Sequence, residues 1–120
     1  MERSLRLKKR SEYSSVYREG TAWVGGLVVM KAKRNRLGCT RYGFSVNKRV
    51  GKAVKRNRLK RLLKEITRPQ LVKPGWDIVF IIRPEAVAVD YHELKEAIVR
   101  ALVRAQLLES NVETTNPGAN

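Results

Sequence analysis

Residues 47–61 read Asn47-Lys48-Arg49-Val50-Gly51-Lys52-Ala53-Val54-Lys55-Arg56-Asn57-Arg58-Leu59-Lys60-Arg61, and the run continues through Leu62, Leu63, Lys64 and Ile66 to Pro69. At 100° per residue Leu59, Leu62, Leu63 and Ile66 fall on one arc, which predicts a helix from just after Gly51 to about Arg68, where Pro69 ends it. The leucine arc faces a core; the opposite arc is basic. Arg56, Lys60 and Lys64 stack at i, i+4 spacing with Asn57 and Arg61 beside them. Lys52, Lys55, Arg56 and Arg58 crowd the predicted N-terminus, where the helix dipole favours anions, at a cost of some tenths of a kcal/mol per charge that a bound phosphate would reverse. A merely solvated helix normally places Glu four residues ahead of its Lys and Arg, and here no such partner exists. Arginine offers a planar fork to phosphate oxygens, and Asn57 adds a donor and an acceptor suited to a base edge or a 2′-hydroxyl.

Upstream, Ser11 is the expected cap of a short helix with Tyr13, Val16 and Tyr17 on one face, stopped at Gly20. The β-forming run from Trp23 to Ala32 and the alternating run from Arg41 to Val46 read as paired antiparallel strands joined by a turn over residues 33–38. Gly25 and Gly26 mark either a bulge or a split of the first run into two strands. Downstream, Lys73-Pro74-Gly75 is a turn, and residues 76–82 form an apolar strand buried on both faces. Asp90 caps a final helix, with Glu93 completing a capping box and Leu94, Ala97, Ile98, Ala101, Leu102, Ala105 and Leu108 as its core stripe. Residues 1–109 make one domain, and the polar stretch 110–120 reads as disordered.

The chain has 120 residues, 42% of them hydrophobic, and a net charge of +15. That excess exceeds what solubility requires and points to a polyanion, most simply a nucleic acid, whose condensed counterions are released on binding. From Gly20 to Lys64 there is no Asp or Glu, so the charge is concentrated. One cysteine and one histidine build neither an internal disulfide nor a zinc site, and the cytoplasm fits. No apolar run has the length of a membrane span, and no membrane-surface stretch stands out.

The run Gly51 to Arg61 resembles the signature of the bacterial ribonuclease P protein family, with its Arg-Asn-Arg helix at Arg56-Asn57-Arg58. The resemblance extends upstream through Tyr42-Gly43-Phe44-Ser45-Val46-Asn47-Lys48-Arg49-Val50 to Leu5-Arg6-Leu7-Lys8-Lys9 with Tyr13, Val16, Tyr17, Gly20 and Thr21. Downstream it takes in residues 76–83 and the final helix. It implies an α+β fold, an α-β-β-β-α-β-α sandwich with a left-handed crossover at the basic helix, similar to a domain of a small-subunit ribosomal protein. It also implies two partners: a catalytic ribonuclease P RNA, held by Lys48, Arg49, Lys52, Arg56, Asn57, Arg58, Lys60, Arg61 and Lys64, and precursor tRNA. The single-stranded 5′ leader of that tRNA would lie in a cleft lined by Tyr13, Tyr17, Lys31 and Ser45. No obligate protein partner is implied.

Tyr13 and Tyr17 at i, i+4 read by themselves as core rings, and the alternative is stacking on single-stranded bases, worth roughly 1–3 kcal/mol each. Trp23 and Trp76 read as packing residues, Cys39 as an incidental turn thiol and His92 as a residue without a partner. Lys8, Lys9 and Arg10 fit either a disordered arm or a further phosphate clamp. Phosphodiester cleavage by a protein needs grouped carboxylates holding metal or a His pair, and the chain shows neither. The resemblance therefore implies magnesium-dependent hydrolysis by the RNA subunit, with Mg2+ bound mainly by that RNA and no catalytic residue here. A ribosomal RNA-binding protein and a DNA-binding regulator are the competing classes; the second lacks helix-turn-helix spacing, because a strand precedes the basic helix.

Overall fold

The computed structural model describes residues 5–109; residues 110–120, expected to be disordered, lie outside the described residues. Five strands, β1 (Leu5–Arg6), β2 (Thr21–Val24), β3 (Val28–Arg34), β4 (Arg41–Ser45) and β5 (Trp76–Ile82), alternate with helices α1 (Arg10–Glu19), α2 (Ala53–Thr67) and α3 (Tyr91–Arg104). The sheet order is β1-β4-β5-β3-β2. The pair Gly25-Gly26 thus splits the first run into a hairpin, with Val24 opposite Val29.

The expected pairing of β3 with β4 does not occur. β5 lies between them, antiparallel to β3 and parallel to β4, with Phe80 opposite both Met30 and Phe44. The physical reason is burial: residues 77–80 of β5 are all buried, and the centre of the sheet is where both faces of such a strand are covered. β4 and β5 are parallel neighbours, so α2 is the crossover between them. The N-terminal arm also differs from expectation, because β1 adds a parallel edge beside β4.

Alternation along the strands sends side chains to two layers. Met30, Tyr42, Phe44, Ile78, Phe80 and Ile82 pack with Leu59, Leu63 and Ile66 of α2 and Leu94, Ile98 and Leu102 of α3. Each such buried aliphatic side chain contributes roughly 1.5–3 kcal/mol. The other layer is thinner: Leu7, Val16 and Val79, with Tyr13 and Ile81 packed against them, hold α1 on the opposite face.

Local signals explain the helix ends. α3 starts as expected, with Asp90 Oδ1 accepting from the Glu93 amide at 2.9 Å. Leu108, expected in its core stripe, lies beyond the helix and bridges to Val72. α1 is not capped by Ser11, which lies inside the helix; the cap position is Lys9. Its free amides go to Glu12, whose Oε1 accepts from the Lys8 and Lys9 N–H groups at 2.8 and 2.9 Å. Lys48–Val50 is a 3₁₀ turn capped by Asn47, whose Oδ1 accepts from the Arg49 amide at 2.9 Å.

Candidate RNA interface

Two surfaces carry the residues singled out in the sequence. The first is the turn 48–50 with the start of α2. Lys48, Arg49, Lys52, Asn57, Arg58, Arg61 and Lys64 are exposed, and Arg56 and Lys60 are half-buried along the edge of the leucine arc. Arg56 is partly spent on structure, its Nε donating to the Gly51 carbonyl at 3.1 Å. Gly51 itself sits at φ 153° and joins the turn to the helix. Among the described residues none of these eight cations forms an ion pair; the pairs present involve Arg18, Lys33, Arg41, Arg83 and Arg100. Uncompensated like charges repel one another, and a polyanion removes that repulsion.

The second surface is the sheet face under α1. Lys31 of β3 is level with Val79 of β5, and Val79 with Gly43 of β4; one row on, Val29, Ile81 and Ser45 are level. α1 covers the first row and leaves the second half-buried, while Val24 of β2, at the end of that row, is 60% exposed. Tyr13 and Tyr17 have ring centroids 6.4 Å apart, but their settings differ. Tyr13 packs on the bare backbone of Gly43, where a Cβ would come within 2.7 Å of the ring. Tyr17 lies at the open edge, 37% exposed. Lys31 Nζ donates to the Tyr17 carbonyl at 2.9 Å and stands 5.9 Å from the centre of its ring. The structure thus brings Tyr13, Tyr17 and Lys31 together, with Ser45 two strands away on the same face. Val24, Val29 and Ile81, which sequence reasoning took only as strand formers, supply its apolar floor; their shared row depends on the β5 insertion.

Gly43→Ala would force its methyl into Tyr13 and is expected to cost about 1–3 kcal/mol, the usual range for overpacking. Urea unfolding measures this loss, and a change in tyrosine fluorescence is expected with it.

An ionic clamp fixes α1 at both ends. At its start, Arg41 Nε and Nη2 donate to Asp77 Oδ1 and Oδ2 at 2.8 and 2.7 Å, while Nη1 donates to Glu12 Oε2 at 2.9 Å. At its end, Lys33 Nζ bonds to Ser15 Oγ and pairs with Glu19 at 3.0 Å. The Lys8 and Lys9 amides, then the Arg41 guanidinium, hold the Glu12 carboxyl down to about 2. A carboxyl whose folded pKa is depressed stabilises the fold above its unfolded value and loses that contribution as pH falls through the folded one. Stability is therefore expected to fall between about pH 4.5 and pH 2, and Glu12→Gln is expected to flatten that part of a melting-temperature profile. The sequence reading missed this clamp, although the lone Asp77 inside a buried strand was a signal for it.

No group of three or more His, Cys, Asp or Glu among the described residues is placed to hold a metal ion. No helix among them is long and apolar enough to cross a membrane.

The chain is also similar to known proteins in sequence and in fold. The family model described as Ribonuclease P matches residues 1–106. The ribonuclease P protein component of Dehalococcoides mccartyi strain 195 is 45% identical over 120 residues, the whole of both chains. That of Roseiflexus sp. strain RS-1 is 41% identical over 115 residues, 92% of this chain and 93% of the relative. Among solved structures, the RNase P protein of Staphylococcus aureus superposes with a TM-score of 0.81 at 25% identity, covering 88% of this chain and 99% of that one. The protein from Thermotoga maritima gives 0.76 at 30% identity, covering 82% and 96%. With a family model spanning nearly all of the chain and relatives matched end to end, this chain belongs to the ribonuclease P protein component family.

Proposed function

We propose that the chain is the protein subunit of a bacterial ribonuclease P, binding the catalytic RNA through α2 and the turn before it and the 5′ leader of precursor tRNA in the cleft beside α1. One observation carries the reading: eight cations without acidic partners, among the described residues, gathered on one turn and the helix that follows it. Lysine and arginine in that number meet phosphates, and each contact releases counterions. The cleft suits a strand of variable sequence. An exposed Tyr17 ring offers a stacking surface, Lys31 a charge, and Ser45 a hydroxyl, none of which selects a particular base.

In this reading the chain supplies no catalytic group. Four acids of the described chain serve the fold, Glu12 and Asp77 with Arg41, and Asp90 and Glu93 at the start of α3. Hydrolysis belongs to the RNA, which also holds most of the Mg2+, and the chain positions the leader and screens repulsion between two RNAs. A single thiol fits work in the reducing cytoplasm.

The test is a division of labour between two substitutions. Tyr17→Ala is expected to leave affinity for ribonuclease P RNA unchanged and to weaken holoenzyme binding of precursor tRNA roughly tenfold, the equivalent of one lost stacking contact. Arg58→Ala is expected to weaken assembly with the RNA. Binding of mature tRNA, which has no leader, is expected to be the same with Tyr17→Ala as without it. Equal losses in both assays for both variants would contradict the division.

A further inference from the structure

Charged residues make up 31% of the chain, yet Gly20-Thr21-Ala22-Trp23-Val24-Gly25-Gly26-Leu27-Val28-Val29-Met30 holds none and is the longest uncharged run in the sequence. It supplies β2, and β2 is one edge of the sheet. The two edges are guarded differently. At the other edge β1 has only two residues, and Arg6, Lys8, Lys9 and Arg10 stand in it and just after it. β2 has no Lys, no Pro and no break in its register with β3, the devices that keep edge strands from pairing with other chains. Its residues are exposed apart from the half-buried Trp23, and Val24 is an apolar side chain in water.

The hydrogen bonds of the hairpin show which backbone groups face outward. The Gly25 amide donates to the Val28 carbonyl at 3.0 Å. In an antiparallel ladder the bonded pairs recur at every second residue. With Trp23 opposite Met30 and Thr21 opposite Ala32, the backbone groups of Thr21 and Trp23 therefore point to β3, and those of Ala22 and Val24 point away from the sheet. Arg104 agrees with this parity: its Nη1 donates to the Val24 carbonyl at 3.2 Å, and that oxygen keeps a second lone pair. On the α3 side of the edge a cavity of about 240 Å³ lies between the β2–β3 hairpin and α3, with Trp23, Leu27, Ala97 and Ala101 in its walls.

We propose that β2 pairs with β2 of a second copy of this chain, antiparallel about a two-fold axis at Trp23. Ala22 then stands opposite Val24 of the second copy and exchanges both N–H···O bonds with it, and the symmetry repeats that pair on the other side of the axis. The arrangement is self-complementary because the two outward-facing residues flank Trp23 evenly. The two Trp23 side chains form the unbonded pair between them, where cross-strand neighbours come closest, and the cavity beside α3 gives the rings room. Ala22 of the second copy covers the exposed Val24. Charge favours the same contact: two chains of net charge +15 repel wherever their basic surfaces meet, and the uncharged edge is where they approach at least cost. β3 and β5 separate this edge from β4, the strand that leads into the basic turn. The inference goes beyond the RNA-subunit reading and does not depend on it.

The test is sedimentation equilibrium of the full chain without RNA, up to about 500 µM, at about 0.1 M and about 1 M NaCl, where charges are screened beyond roughly 10 Å and 3 Å. A monomer–dimer equilibrium is expected, with association roughly tenfold tighter at the higher salt, the opposite of the salt dependence of binding to RNA. Ala22→Pro removes an outward amide and none of the β2–β3 bonds, so a monomer with a cooperative melt is expected throughout. Ala22→Lys keeps every backbone amide and sets a charge beside Val24 of the second copy; it is expected to weaken association roughly tenfold or more. A monomer at every concentration and salt would overturn the proposal. So would dimers that both variants form as readily as the unsubstituted chain, or assemblies larger than two, which a closed two-fold pair does not build.

Discussion

Replacing Arg58, Arg61 and Lys64 together by alanine is expected to leave the fold intact and to weaken binding of ribonuclease P RNA roughly a hundredfold. All three side chains are exposed on α2, and none is paired among the described residues. Alanine is a better helix former than any of them, so the change in folding stability is expected to stay within about 0.5 kcal/mol per site. Each charge-assisted contact with a phosphate, at the exposed end of the range, contributes about 1 kcal/mol, and three of them account for the hundredfold loss. The salt slope is expected to fall by about 2.7 in the same variant. Filter binding at several salt concentrations measures both quantities. A large loss of affinity with an unchanged slope would mean that these residues act through shape rather than charge.

The second large effect falls on stability. Asp77→Ala is expected to destabilise the fold by about 3 kcal/mol, with a drop in melting temperature of roughly 15 °C for a domain of this size. The Asp77 side chain is 8% exposed and that of Arg41 is 20% exposed. Removing the carboxylate leaves a guanidinium and the Asn35 amide without their acceptor, and an unpaired group in a partly dry site loses its full solvation. Asp77→Asn keeps one oxygen for these donors and is expected to cost about half as much. The damage reaches the interface indirectly. Arg41 also bonds Glu12, so the start of α1 loosens with it, and α1 carries Tyr13 and Tyr17.

Much of this was legible in the chain because short-range chemistry decided it. The leucine arc of α2, Pro69 after it, and the Asp90 cap of α3 with Glu93 are each set within a turn or two of sequence, and the structure follows them. What was not legible depends on distant partners. β3 and β4 look like a hairpin because they are neighbours in sequence, and nothing local announces that β5, more than thirty residues on from β4, will lie between them. That single insertion also decides which side chains share the open face, so Ile81 and Val29 could not be placed beside Ser45 in advance. Ser11 was a plausible cap by residue type. The amides went instead to Glu12, whose other oxygen is anchored on Arg41, 29 residues away. Similarly, Asn35 and Asn57 stand in identical pentapeptides, and only the fold assigns one to the interior of a turn and the other to the surface.

The central claim is that this chain assists an RNA catalyst and is not one. Cleavage of a 5′-labelled precursor tRNA at low magnesium by a bacterial ribonuclease P RNA, with and without the chain, tests it most directly. The account predicts no cleavage by the chain alone and restored, accurate release of the leader when it joins the RNA. Binding to the RNA without any stimulation of cleavage would contradict it.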